Sequence, residues 1–148
     1  MPIITEGRAI IEAPPSAAWA ALADYANDVL WRKAVNRMDQ DPPGEVFEGA
    51  AVVEELRILG RVVQTRIEVH DVRPGSSFAW RAIDGSAAFG TRSVVPLGTD
   101  RCELRTWRQI GLTGADRLLQ PLVAWVLRRA ERADVRRAAL VVEQARLA

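Results

Sequence analysis

The chain has 148 residues, of which 49% are hydrophobic and 26% charged, a composition typical of a folded globular protein rather than a disordered one. Its length predicts a single domain over residues 1–148, with room for one hydrophobic core. Twenty basic and nineteen acidic residues leave a net charge of +1, so bulk electrostatics argue against nucleic-acid binding.

Nothing in the sequence indicates export or membrane insertion. No apolar run approaches the roughly 20 residues that span a bilayer, and the first residues lack the regions of a signal peptide. The only cysteine, Cys102, cannot form an intramolecular disulfide. We therefore expect a cytoplasmic protein without an integral membrane segment, either a monomer or a homodimer.

The N-terminal part predicts one strand followed by two short helices. Residues 3–12 are rich in β-branched side chains and lead into Pro14, which cannot continue a central strand. Ser16 is placed to cap a helix over residues 17–24, and a second helical piece is predicted over residues 27–33. Helices this short are unstable alone, so both must pack against a sheet.

Residues 35–110 predict an antiparallel meander. They are rich in Val, Ile, Thr and aromatic residues, and turn signals such as Pro74-Gly75 and Asp84-Gly85 interrupt them. Alternation assigns one face of each strand to the core and leaves His70 on a polar face, as a solvated residue. The residues expected inward are Val52, Glu54, Leu56, Ile58, Val63, Thr65, Ile67, Val69, Phe78, Trp80, Ala82, Ala87, Phe89, Thr91, Ser93, Val95, Leu104, Thr106, Arg108 and Ile110.

The last quarter of the chain predicts a long amphipathic helix over residues 115–146, about 45 Å in length. Pro121 either kinks this helix or marks the start of its regular part, after a separate turn. The arginines at positions 128–137 are expected on the solvated side, stabilised by Glu131 and Asp134. The apolar stripe expected to face the sheet consists of Leu118, Leu119, Leu122, Val126, Ala130, Ala133, Leu140 and Val141.

Three stretches carry a family resemblance. The stretch AIIEAPPSAAWAALADYANDVLW resembles the opening of the SRPBCC superfamily, HDVRPGSSFAWRAIDG resembles its hairpin, and GADRLLQPLVAWVLRRAERADVRRA resembles its last helix with its proline. The sequence looks most like the polyketide cyclase/dehydrase and lipid transport branch, within the START-like and Bet v 1-like group. The resemblance implies an α+β helix-grip fold, in which a curved seven-stranded antiparallel sheet and two short helices surround one long C-terminal helix.

The same resemblance implies a mostly apolar cavity between sheet and helix. We expect it to bind a lipid, a polyketide-like or a quinone-like molecule, and the predicted contacts come from the strands, the short helices and the long helix. They are Tyr25, Trp31, Val52, Glu54, Leu56, Val63, Ile67, Phe78, Trp80, Phe89, Thr91, Leu104, Thr106, Arg108, Leu122 and Val126.

Glu54 and Arg108 are the candidate chemical groups, because each carries a charge on an otherwise apolar face. A buried lone charge is costly, so each must be paired, be exposed by a bulge or face a wet cavity. One alternative function is a polyketide cyclase or dehydratase, with Glu54 as acid or base and Arg108 stabilising an enolate. Another is a protein-interaction module, which a completely filled cavity would favour. One histidine and one cysteine cannot form the usual zinc sites, so we expect no metal and no cofactor.

Overall fold

The structure is a computed structural model that describes residues 2–147. Seven antiparallel strands form one sheet in the order β1-β7-β6-β5-β4-β3-β2, and a long C-terminal helix packs chiefly against β1. The strands are β1 (Ile3–Ile11), β2 (Val35–Asp41), β3 (Ala51–Ile58), β4 (Arg61–Arg73), β5 (Ser77–Ala82), β6 (Ala87–Pro96) and β7 (Cys102–Gly111). The helices are α1 (Pro15–Leu22), α2 (Asp28–Trp31) and α3 (Gln120–Leu147), with 3-10 helices at Tyr25–Asn27 and Gly114–Leu119. This is the helix-grip α+β fold expected from the sequence.

Helix α1 begins two residues earlier than predicted. Pro15 occupies its first turn, where the missing N–H costs nothing, and the N-cap is Pro14. No side chain caps this end, so the prediction of a Ser16 cap is wrong. The helix ends at Leu22, and its buried residues hold it against the body: Ala18, Trp19 and Leu22.

The C-terminal segment is two helices rather than one. A 3-10 helix, Gly114–Leu119, comes first, and α3 begins at Gln120. Pro121 therefore lies in the first turn of α3, where its fixed backbone angle suits the helix. The single helix predicted from residue 115 is thus corrected, and the alternative in which Pro121 marks the start of the regular part is confirmed.

Helix α3 buries a different face from the one predicted. Its buried residues are Ala124, Leu127, Glu131, Asp134, Val135, Ala138, Ala139 and Val142. From the predicted stripe, Leu118, Leu119, Leu122 and Leu140 are exposed. The helix therefore has several alanines and two carboxylates on its inward side. The small alanine side chains allow a close approach to β1, and the interior supplies partners for the carboxylates.

Gly7 makes this close approach possible. A Cβ atom added there would lie 2.7 Å from Thr106 Oγ1 and 2.7 Å from Val135 Cγ1, well inside van der Waals contact. Because β1 lacks a side chain at this position, α3 lies directly over the β1–β7 pair. The inward side chains of α3 then reach β7.

Strand β6 presents the opposite face from the one predicted. Arg92 pairs with Phe78 of β5 and with Thr106 of β7, and all three are buried. Phe89, which pairs with Arg81, is exposed on the outer side of the sheet. The prediction failed because both faces of β6 carry small and apolar residues, and because an arginine was taken as an outward residue.

Two apolar clusters fill the space between sheet and helix. One includes Ile3, Ala124 and Leu127, and the other includes Val135, Ala138 and Val142 from the C-terminal half of α3. The paired inward residues of β1 and β7 show what separates them. Ile3 faces Ile110 at one end and Ile11 faces Cys102 at the other, while Thr5–Arg108 and Gly7–Thr106 lie between. A polar band therefore crosses the middle of the core.

Candidate functional site

The polar band continues across the sheet to β3 and β4. There Glu54 pairs with Thr65, with the apolar pair Val52–Ile67 on one side and Leu56–Val63 on the other. Arg92 contributes from β6 in the same layer. The curved sheet and α3 thus enclose charged side chains in the space between them. Each of these buried charges requires a partner.

Arg92 and Asp28 form the centre of this band. The Arg92 guanidinium donates to Asp28 Oδ1 at 3.0 Å and to Asp28 Oδ2 at 2.9 Å, and it also donates to the Leu22 carbonyl at 2.8 Å. The same guanidinium lies 5.1 Å from the Tyr25 ring centroid and 4.8 Å from that of Trp31. Burial by itself lowers the pKa of Arg92, but the interactions with Asp28 and Tyr25 together outweigh it and raise the pKa above the ordinary value. Arg92 therefore stays charged.

Glu54 has its own cationic partner. Arg32 donates to Glu54 Oε2 at 2.9 Å and to Asp28 Oδ2 at 3.0 Å, so that it links the two carboxylates. Burial lowers the pKa of Arg32, while Glu54 and Asp28 together raise it further, which leaves it above its ordinary value. The four groups Asp28, Arg32, Glu54 and Arg92 form one connected network, which we call the Asp28 network.

A second network joins β7 to α3. Arg108 Nη2 lies 2.7 Å from Glu131 Oε2, and the Thr106 hydroxyl donates to Glu131 Oε1 at 2.5 Å. Glu131 points inward because Gly7 lets α3 lie against β1 and β7. Glu54 and Arg108 are therefore both paired, as their burial requires, but with different partners and not with each other.

Asp134 is a further buried carboxyl group of the polar band. It accepts from the Lys33 backbone N–H at 3.3 Å and from Arg137 Nη1 at 3.1 Å. Burial raises the pKa of Asp134 above its ordinary value, although these contacts oppose the change. Arg137 also donates to the Trp31 carbonyl at 2.8 Å, so this corner ties α2 to α3.

Two donors in the band have no partner in the part of the chain that the structure describes. They are the Tyr25 hydroxyl and the Trp31 indole N–H, and both atoms are buried. Burial raises the pKa of Tyr25 far above its ordinary value, with a smaller opposing effect from Arg92, so the hydroxyl keeps its proton. Both groups are therefore hydrogen-bond donors available to an acceptor from outside the chain.

These groups surround an internal cavity of about 30 Å³ between the sheet and α3. Its size corresponds to about one water-sized group. The lining residues are Tyr25, Trp31, Arg32, Glu54, Ile67, Trp80, Thr91, Arg92, Thr106, Arg108, Glu131 and Asp134. The wall is polar and aromatic, which corrects the expectation of a mostly apolar cavity.

Half of the predicted contact residues border this cavity, namely Tyr25, Trp31, Glu54, Ile67, Trp80, Thr91, Thr106 and Arg108. Thr91 does so from β6, where its side chain is exposed on the outer face of the sheet on the same side as Phe89, so the prediction that its side chain faces the ligand is wrong. Val52, Phe78 and Leu104 are buried in the apolar core beside it, while Leu56 and Val126 are half-buried outside its wall. Three predicted contacts are contradicted because their side chains are exposed: Val63 near the β3–β4 hairpin, Phe89 on the outer face of β6, and Leu122 on the outer side of α3.

Sequence reasoning missed four lining residues. Arg32, Arg92, Glu131 and Asp134 were taken as surface charges or were not singled out. One signal was present: at helical spacing, Glu131 and Asp134 share a face with Leu127, Val135 and Ala138, which is an apolar face. A carboxylate among such residues indicates an inward acid that needs a partner.

A larger cleft of about 620 Å³ lies on the outer face of the sheet. Its lining includes His70, Arg81, Phe89 and Gln109, which alternate with the inward residues of their strands. His70 contacts Asp71 at 3.1 Å, and Arg81 contacts Glu68 at 2.6 Å. The cleft is open to solvent and shares none of its lining residues with the internal cavity.

Comparison with protein families identifies one that covers almost the whole chain. The family described as polyketide cyclase / dehydrase and lipid transport matches residues 2–143. The chain belongs to this family. The resemblance in the sequence is therefore confirmed, while a search of curated proteins finds no match. No helix in residues 2–147 is long and apolar enough to cross a membrane.

Solved structures support the same fold at low sequence identity. The Zhui aromatase/cyclase from Streptomyces sp. R1128 has a TM-score of 0.81 at 16% identity, over 97% of this chain and 95% of its own. A START superfamily protein from Mycobacterium smegmatis gives 0.71 at 13%, over 97% and 99%. Norcoclaurine synthase from Thalictrum flavum gives 0.68 at 14%, over 99% and 97%. Identities this low establish the fold alone.

Proposed function

We propose that this protein binds a small aromatic or polyketide-like molecule with acceptor oxygens between the sheet and α3. The observation that carries the proposal is the pair of unpartnered buried donors, the Tyr25 hydroxyl and the Trp31 indole N–H, in the cavity wall. An unsatisfied buried polar group costs about 1–3 kcal/mol, so a ligand that supplies an acceptor is favoured by removing that cost.

The rest of the wall selects a neutral ligand. The cavity's arginines 32, 92 and 108 already pair with carboxylates, so a charged ligand would have to compete with these ion pairs. Aromatic faces of Tyr25, Trp31 and Trp80 suit a planar ring better than an acyl chain. Within the family description, these features favour an oxygenated aromatic or polyketide frame over a long-chain lipid.

A ring system is larger than the 30 Å³ of free volume, so ligand entry requires the cavity to expand. On one side, the cavity is closed by contacts between the end of α2 and α3. They are the hydrogen bonds from Lys33 N–H to Asp134 and from Arg137 to the Trp31 carbonyl. Helix α2 is a single turn, Asp28–Trp31, and its movement away from α3 would admit the ligand beside Trp31. The structure then corresponds to the closed form.

The test uses a matched pair of ligands, 1-tetralone and tetralin, which share a ring frame but differ in one carbonyl oxygen. Titration calorimetry on the wild type should show saturable binding that is tighter for 1-tetralone. Tyr25→Phe should weaken 1-tetralone binding by about threefold to tenfold, the value of one hydrogen bond, and leave tetralin unchanged. Trp125→Phe, at an exposed position of α3, is the control and should alter neither affinity.

Absence of saturable 1-tetralone binding to the wild type would refute the proposal. So would an equal effect of Tyr25→Phe on both ligands, because that would mean a loss of packing rather than of a donor. Circular dichroism and urea unfolding of Tyr25→Phe establish that it is folded. Removing an unsatisfied hydroxyl is not expected to lower its stability.

A second candidate function is cyclisation or dehydration of a polyketone, favoured by Asp134. A carboxyl group whose pKa is raised by burial, at the wall of a cavity, is a better candidate for proton transfer than Glu54, which is bound to Arg32. Asp134→Asn keeps an acceptor for Lys33 N–H and Arg137. In an assay with an unreduced polyketone, it should abolish product formation while 1-tetralone still binds. Unchanged turnover would exclude Asp134 as the acid or base.

The third hypothesis, an interaction module without a ligand, gains less support because the cavity is small but not completely filled. The cytoplasmic location, the monomeric or dimeric state and the absence of nucleic-acid binding stay predictions from the sequence.

A further inference from the structure

The outward side of α3 and of the 3-10 helix before it combines exposed apolar side chains with arginines. Leu118 is 85% exposed and Trp125 is 57% exposed, and Leu119 and Leu122 are exposed beside them. Counting onward from Trp125 in helical steps, the outward positions continue with Arg129 and Arg132. Large apolar residues grouped at a surface in this way, rather than scattered singly, indicate an interaction site.

Within residues 117–142 the exposed charges are all positive, because α3 buries the two acids of this stretch. Residues 117–142 contain six arginines and two acids, Glu131 and Asp134. Both acids are buried and pair with Arg108 and Arg137 respectively. Five arginines stay exposed, and none of them forms an ion pair with a carboxylate of residues 2–147: Arg117, Arg128, Arg129, Arg132 and Arg136.

Trp125 and Arg129 sit together at the junction of the apolar and the cationic parts. The Arg129 guanidinium lies 5.5 Å from the Trp125 ring centroid. An exposed indole beside a cation is favoured at the boundary between the acyl chains and the headgroups of a bilayer. Tryptophan is enriched at this boundary, and arginine can contact the lipid phosphates there. The neighbouring leucines supply apolar surface to bury.

We propose that the outer surface of the C-terminal segment docks on an anionic lipid bilayer. This surface is formed by Leu118 and Leu119 of the 3-10 helix and by Leu122, Trp125, Arg128, Arg129 and Arg132 of α3. The leucines and Trp125 enter the headgroup region while the arginines contact lipid phosphates, so that α3 lies on the membrane without crossing it. A second copy of this chain fits less well, because a symmetric contact would bring the arginines of both copies together.

The test is cosedimentation of the full chain with vesicles. Vesicles of phosphatidylcholine and phosphatidylglycerol at a 3:1 ratio should bind the protein, and binding should fall when NaCl rises from about 0.05 M to 0.5 M because salt screens the arginines. Vesicles of phosphatidylcholine alone should bind at least about tenfold more weakly, since each arginine near an anionic surface contributes about a fivefold gain in affinity.

Two exposed apolar variants separate insertion from charge attraction. The double variant Leu118→Ser with Trp125→Ser should bind the anionic vesicles about tenfold or more weakly, while Leu97→Ser should bind like the wild type. Leu97 is also exposed, at 47%, but lies in the β6–β7 turn. Trp125→Phe should still bind, and it should lose most of the fluorescence quenching that brominated lipids cause in the wild type.

Three results would overturn the proposal. The first is equal binding to neutral and anionic vesicles. The second is unchanged vesicle binding by the double variant, which would mean that charge alone attracts the protein and that no apolar group inserts. The third is self-association in sedimentation velocity that the double variant abolishes, because the surface would then be an interface between copies of this chain.

Discussion

Replacing Arg92 by methionine removes a guanidinium that is hydrogen-bonded within the core. The guanidinium makes three hydrogen bonds, two to Asp28 at 3.0 and 2.9 Å and one to the Leu22 carbonyl at 2.8 Å. Arg92 is 6% exposed and Asp28 is 0% exposed, so solvent cannot replace these contacts. Methionine fills similar space against the aromatic rings, and the change therefore mainly removes the charge and its donors.

The expected loss of stability follows from what remains around Asp28. Removing one partner of a buried ion pair costs about 3–5 kcal/mol, because the other charge stays buried. Arg32 still contacts Asp28 at 3.0 Å, so we expect the lower end of that range, about 3 kcal/mol. Arg61→Met is the matched control. It breaks an exposed ion pair, with Asp116 at 3.3 Å, and should cost less than about 1 kcal/mol.

Urea unfolding followed by tryptophan fluorescence measures both variants, as a shift in midpoint at constant slope. Adding Asp28→Asn to Arg92→Met should recover part of the lost stability, because the uncompensated charge is then removed. The same Asp28→Asn change in the wild type should be destabilising. A loss for Arg92→Met no greater than that for Arg61→Met would refute the view that the Asp28 network maintains the core.

Two further predictions concern α3. Gly7→Ala should cost about 1–3 kcal/mol, because its Cβ would lie 2.7 Å from Thr106 and Val135, and an unchanged urea midpoint would contradict the close approach. For Asp134→Asn, the pH dependence is the measurement. A folded-state pKa above the unfolded one means that the native state binds more protons, so Asp134 lowers stability as pH rises from about 4 through the folded-state pKa, with no further change above it. Relative to the wild type, the variant should therefore gain stability from pH 4 upward, and a constant difference would exclude the raised pKa.

Much of the sheet was predictable because its strands obey a simple alternation. In β3, Val52 and Glu54 face inward as predicted, and in β7 Leu104, Thr106 and Arg108 do the same. The inference that Glu54 and Arg108 must be paired, be exposed by a bulge or face a wet cavity was also sound, since it depends on the energy of a buried charge and not on topology. Both are paired and both line the cavity. Their partners were not predictable, because Arg32 and Glu131 come from elements whose orientation the sequence leaves open.

The predictions of the buried face failed in β6 and in α3 for the same physical reason. In both, hydrophobicity was used to choose the buried face, while the polar band at the centre of this core requires charged residues to face inward. Arg92 in β6 pairs with Asp28, and in α3 Glu131 pairs with Arg108 and Asp134 with Arg137. These contacts, rather than the local apolar pattern, determine which face is buried. A pattern that assigns charges outward therefore selects the wrong face wherever a fold buries a charged layer.

The inward acids of α3 connect the two proposed surfaces physically. Glu131 and Asp134 supply carboxylates to the cavity wall, and the same orientation leaves the outer arginines without acids from their own helix. The two functions can nevertheless be separated by mutation, because their contact residues do not overlap. Tyr25→Phe should weaken 1-tetralone binding without affecting vesicle binding, and the double variant Leu118→Ser with Trp125→Ser should do the reverse. If either change affected both assays equally, the two surfaces would be coupled through α3 rather than independent.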